Sequence, residues 1–99
     1  MLLIVGTVRL PAANLAMARP VMAEMVEASR REAGCLSYSY AEDLFDPGLI
    51  HVSEQWASRE ALDRHFASDH LARWRAAWAE LGLGERSLHL FQVAESAPI

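Results

Sequence analysis

The middle of the chain holds the feature that most restricts its fold. Residues Cys35 to Leu44 read CLSYSYAEDL, residues Leu49 to Trp56 read LIHVSEQW, and Asp46-Pro47-Gly48 lies between them. Side chains alternate across a strand. In the first stretch Leu36, Tyr38 and Tyr40 therefore share one face, with Ser37 and Ser39 on the other. In the second, Ile50, Val52, Glu54 and Trp56 share a face, with Leu49, His51, Ser53 and Gln55 opposite. Asp-Pro-Gly is strong turn chemistry, so the two stretches predict a β-hairpin.

The flanks fit around that hairpin. Leu2 to Leu10 is apolar and β-branched without a helical period, which predicts a strand that Pro11 ends. From about Asn14 to Ala33 the period is helical, with Leu15, Ala18, Met22, Met25, Val26 and Ala33 on the inner face. Pro20 is tolerated only in the first turn or at a kink, so the regular helix is expected to begin near residues 16–20, with Gly34 as its terminator. After the hairpin, Ser58 is a good N-cap, Glu60 favours the first turn, and Leu62 and Phe66 give the helix a core edge. A break is expected at Ser68-Asp69, with Asp69 capping a third helix. Leu71, Trp74, Ala77, Trp78 and Leu81 then form an apolar stripe, which Gly82 and Gly84 close. Ser87 to Ala94 is the last strand. The order β-α-β-β-α-β, with its second helix in two pieces, predicts a ferredoxin-like α+β fold: a four-stranded antiparallel sheet with helices on one face.

Ninety-nine residues are expected to form one domain spanning 1–99. With 53% of the residues apolar, one small core has difficulty hiding them all. The sheet face away from the helices is also expected to be too apolar to stand in water, so a homodimer is expected. A net charge of −4, with Arg30-Arg31 flanked by Glu27 and Glu32, offers no basic stripe for nucleic acid and nothing to draw the chain to an anionic membrane. No apolar run reaches the length of a membrane span, and the N-terminus lacks the charged region of a signal peptide. Cys35 is the only cysteine, which excludes an internal disulfide. A cytoplasmic protein is the expectation.

Four histidines, His51, His65, His70 and His89, are the first candidates for chemistry. His65 and His70 are five residues apart, the wrong spacing for two ligands on one helix face, and no metal site is expected. Cys35 follows a helix-ending glycine and reads as a small apolar filler. There is no Gly-x-Ser-x-Gly elbow, Gly-x-Gly-x-x-Gly or P-loop, so no nucleotide or flavin cofactor is expected. What remains is a cluster of Trp56, His65, Phe66, His70, Trp74 and Trp78 around the strand-to-helix junction. Trp74 and Trp78, at helical spacing, suit a core. His65 suits either a helix edge or a pocket, where imidazole is a base at neutral pH. Glu54, on an otherwise apolar strand face, is either paired with a cation or histidine or placed for function.

Glu32-Ala33-Gly34-Cys35-Leu36 leading into Tyr38, then Glu54-Gln55-Trp56, Ser58-Arg59-Glu60-Ala61-Leu62, His65, Ser68 and His70 together resemble the antibiotic biosynthesis monooxygenase family. The resemblance implies a dimeric α+β barrel with a cavity between sheet and helices. It implies a small aromatic substrate, a quinol, an anthrone or a related polyketide, oxidised by molecular oxygen as co-substrate without a cofactor. In that frame Trp56 is a pocket wall and donor, and His65 and His70 are the base and its orienting partner. Tyr40, Glu54 and His51 are supporting polar groups, with Phe66 and Trp74 against the substrate. Haem-degrading relatives need an asparagine in the first strand, where this chain has Thr7-Val8-Arg9, so haem degradation is not implied. Two other readings stay open: an isomerase or degradative enzyme for a small oxygenated metabolite, and a non-catalytic dimeric ligand-binding or stress-related module.

Overall fold

The computed structural model describes all 99 residues. Four strands, β1 (Leu2–Arg9), β2 (Cys35–Glu42), β3 (Leu49–Trp56) and β4 (Arg86–Gln92), form one antiparallel sheet in the order β2-β3-β1-β4. Directly paired residues in antiparallel strands project to the same face. Tyr38 pairs with Glu54, Glu54 with Ile4, and Ile4 with Leu90. These four side chains therefore make one row across the sheet, on the face that meets the helices. The ferredoxin-like α+β architecture expected from the element order is the one observed. The strands stop short of their expected ends: β2 finishes at Glu42 rather than Leu44, and β4 runs from Arg86 to Gln92.

Helix α1 (Leu15–Arg30) starts earlier than Pro20 suggested. A 3₁₀ turn at Ala12–Asn14 leads into it, and the Asn14 side chain donates to the Leu81 carbonyl at 2.9 Å. Pro20 sits inside the helix but on its exposed side, as does Ala16. The carbonyl that loses its intrahelical donor is thus open to water, which removes most of the cost of an interior proline. The helix also ends sooner than expected, at Arg30 rather than Ala33. Gly34 lies beyond an intervening turn at φ +85°. A Cβ there would come within 2.5 Å of the Ala61 Cβ, so this glycine serves close approach to the next helix rather than helix termination.

Helices α2 (Arg59–Phe66) and α3 (Asp69–Leu81) are separated by a two-residue hinge, Ala67-Ser68. Ser58 caps α2 as expected, its hydroxyl accepting from the Ala61 N–H. The cap of α3 is Ser68, not Asp69: its hydroxyl accepts from the Leu71 N–H at 3.3 Å and donates to the His65 carbonyl at 2.6 Å. Asp69 instead occupies the first turn of α3, where its charge meets the positive end of the helix. Gly82 closes α3 in the left-handed conformation at φ 74°.

The core lies between the sheet and the three helices. Val8, Ile50, Val52 and Trp56 come from the strands, Ala18 and Met25 from α1, Leu62 from α2, and Leu71 and Trp74 from α3. The opposite sheet face is more mixed than expected. Leu3, Val5, Leu49 and Phe91 share it with Ser37, Ser39, His51, Ser53 and Gln55. None of these is buried. No helix is long and apolar enough to cross a membrane.

Candidate active site

A cavity of about 210 Å³ opens between the sheet and the α2–α3 hinge. The row Tyr38, Glu54, Ile4 and Leu90 forms its floor, and Trp74, Trp78, Leu71 and Phe66 its helical walls. Glu54 and His65 are buried at its inner end, whereas Arg75 and Arg86 are exposed and mark its open side. The walls are aromatic at right angles: Tyr40 meets Trp74 edge-on at 6.0 Å between ring centres, and Trp74 meets Trp78 at 6.2 Å. Cavities of about 150 Å³ accept benzene, so this one has room for a larger aromatic ring system.

The polar end is built around His65, which is only 1% exposed. Its position on α2 turns the imidazole inward against Trp56, with ring centres 4.7 Å apart. Nδ1 faces the Glu32 carboxylate, with both oxygens within 3.2 Å. A carboxylate only accepts, so Nδ1 carries the proton and Nε2 keeps its lone pair. That free nitrogen points at Tyr38 and Glu54: the Tyr38 hydroxyl donates to it across 3.4 Å, and Glu54 Oε1 stands 3.9 Å away. Burial lowers the His65 pKa below its ordinary value, against the opposing pull of Glu32. The imidazole is therefore neutral at neutral pH, in the tautomer a general base requires.

Glu54 is the second buried ionisable group, at 5% exposure. Burial raises its pKa, while the Trp56 Nε1–H donates to Oε1 at 3.1 Å and favours the anion. Burial also raises the Tyr38 pKa strongly, so this phenol remains a neutral donor. A base, a carboxyl group and a hydroxyl donor thus converge on one end of an apolar space.

The candidates from the sequence fall into two groups. Tyr40, Glu54, His65, Phe66 and Trp74 all line the cavity. Trp56 does not: it is wholly buried behind Glu54 and His65, so its indole positions those two groups rather than forming a wall. His70 also lies outside the lining. Its Nε2 sits 2.5 Å from Glu32 Oε1, a close approach that lacks the alignment of a hydrogen bond. His51 is on the far face of the sheet, where its Nε2 contacts Asp43 at 2.8 Å. Its strand parity excludes it from the site.

Glu32 was not among the expected site residues, because it belongs to an irregular turn without periodicity. Tyr38, Arg75 and Arg86 were also missed. The two tyrosines of β2 share a face, which was the available signal for Tyr38. The five-residue spacing that argued against a metal ignored a carboxylate from another element. Glu32, His65 and His70 place their donor atoms within 4.8 Å of one another, and two imidazoles with a carboxylate suit a transition metal. In this structure Glu32 accepts from His65 Nδ1 and lies close to His70 Nε2.

Residues 1–77 match the model of the family described as antibiotic biosynthesis monooxygenase, and the chain is a member of it. Among its relatives, "Putative monooxygenase Rv0793" of Mycobacterium tuberculosis is 38% identical over 63 residues, 64% of this chain and 61% of that protein. An uncharacterised Synechocystis protein is 31% identical over 71 residues, 72% of this chain and 48% of its own length. The matches thus span about half to three-fifths of these relatives. Among solved structures, a Deinococcus radiodurans protein titled with the same family name superposes with a TM-score of 0.92 at 27% identity, covering 100% of this chain and 98% of that one. The M. tuberculosis structure gives a TM-score of 0.85 at 26% identity, covering 98% of each chain.

Proposed function

We propose that this chain is a cofactor-independent monooxygenase that oxidises a small aromatic quinol or anthrone with molecular oxygen. The observation that carries this reading is the Glu32–His65 pair, a buried neutral imidazole whose free nitrogen is aimed into an aromatic-walled cavity. His65 Nε2 takes a proton from the substrate. The resulting carbanion or phenolate passes one electron to oxygen, and the radical pair combines to a peroxide at carbon. For an anthrone, the CH2 centre becomes C=O, one oxygen atom is retained, and the second leaves as water with the two hydrogens. Tyr38 donates to the developing oxyanion, and the apolar walls at the inner end limit the water that can quench the carbanion.

Oxygen uptake with a panel of hydroquinones and anthrones tests the reading. His65→Ala is expected to lose at least about 100-fold in turnover, the ordinary worth of a general base. If no member of the panel consumes oxygen while several raise the melting temperature, the chain is a binding module and the proposal fails. The active form is a homodimer whose copies meet through the sheet face bearing Leu3, Val5, Leu49 and Phe91. The single thiol of Cys35 accords with a cytoplasmic setting.

A further inference from the structure

The chain has nine cationic residues, all arginine, and most are occupied. Arg9, Arg19, Arg59 and Arg73 pair with carboxylates. Arg30 and Arg64 donate to backbone carbonyls. Of the three left without an oxygen acceptor, Arg31 is remote from the cavity, and the other two, Arg75 and Arg86, both line it. In a chain with thirteen acidic side chains, two free guanidinium groups at one opening stand out.

Their settings match. Arg75, on α3, lies 6.0 Å from the centre of the Phe66 ring, and Arg86, on β4, lies 4.5 Å over the Trp78 ring. A guanidinium stacked on an aromatic face is held in place while its N–H edge stays free for a planar anion. The Trp78 indole N–H is buried and has no acceptor within the protein. Two donor groups at the open side of one cavity are therefore unused, whereas the inner end holds Glu54 and His65.

We propose that the substrate of this site is an anionic aromatic. Its ring lies against the walls formed by Trp74 and Trp78, and its carboxylate, or a group of like charge and shape, is held at the opening by Arg75 and Arg86. This deepens the proposed function: the charged end fixes which ring carbon meets His65. Neutral hydroquinones of the same size bind the same walls without that anchor.

Isothermal titration calorimetry with 2-naphthoate and 2-naphthamide tests the assignment with ligands that cannot be turned over. The carboxylate is expected to bind at least tenfold more tightly than the amide, with the difference shrinking as salt is raised. Arg86→Gln and Arg75→Gln should each reduce the preference, and together abolish it. Arg86→Lys should keep part of it. Both positions are exposed, and unchanged melting curves will show that the variants are folded. Equal binding of the two ligands, a preference that survives the double substitution, or binding of neither ligand overturns the proposal. Oxygen uptake with hydroquinones bearing and lacking a carboxylate is read separately. A clear preference in calorimetry without any oxygen uptake keeps the anion site and removes the monooxygenase.

Discussion

Glu32 and Glu54 approach the same imidazole from opposite sides, and their environments give them different work. Glu32 is partly exposed and faces Nδ1. Its charge raises the His65 pKa against the dominant effect of burial. Glu32→Gln should therefore lower the His65 pKa further, which nitrogen-15 NMR of the imidazole will show, and should cut turnover by about tenfold or more as the tautomer is lost. Glu54 is buried, and burial raises its pKa above the ordinary 4.5. The folded state thus prefers the protonated form, so the stability this group lends is complete below pH 4.5 and is lost as pH rises through the folded value. Glu54→Gln keeps an acceptor for Trp56 and should raise the unfolding midpoint at pH 7 by several degrees, with the gain vanishing near pH 4. His65 acts in the other direction. Its folded pKa lies below 6.5, so its contribution is intact above pH 6.5 and is lost as pH falls through the lower value. Thermal scans between pH 4 and 8 should show wild type losing stability on acidification below 6.5 more steeply than His65→Gln.

At the scale of elements, the site is held together by two short junctions. The Ser68 hydroxyl ties the end of α2 to the start of α3, and Gly34 lets the turn carrying Glu32 press against α2. Gly34→Ala should destabilise by roughly 2–3 kcal/mol, from a strained positive φ and a clash with Ala61. It should also push Glu32 away from His65, so urea denaturation and turnover will suffer together. These junctions show what the sequence could and could not disclose. Strand alternation and helical period located every element, because burial imposes those periods. They also placed Glu54 and Trp56 on the inner face of β3. Helix α1 starts ahead of the position that Pro20 predicts because a solvent-facing proline costs little. The imidazole of His51 suits a site, but its strand parity puts it on the far face. Glu32 was invisible because nothing local marks a turn residue as the partner of a histidine 33 positions away.

For the molecule as a whole, the uncovered sheet face is the main unsatisfied feature. Phe91 is 50% exposed, and Leu44 and Phe45 at the hairpin tip are each 91% exposed. Sedimentation equilibrium is expected to give twice the 11.0 kDa chain mass. Phe91→Asp should shift it toward the monomer without disturbing the Glu32–His65 pair, which lies on the other side of the sheet. A monomeric wild type at tens of micromolar would remove the paired-sheet arrangement.

The division of labour within the cavity has an evolutionary consequence. Glu32, Tyr38, Glu54 and His65 all fall within residues 1–77, the part that matches the family, while Arg86, Leu88 and Leu90 come from the strand beyond it. One side of the mould is thus encoded beyond the stretch that carries the reactive groups, in the edge strand β4 that pairs with β1. A chimaera that grafts the terminal strand of one relative onto the body of another should take part of its taste in molecules from the donor and keep the recipient's reactive groups. New selectivities could then arise by exchanging a single edge ribbon while the reactive groups stay in place.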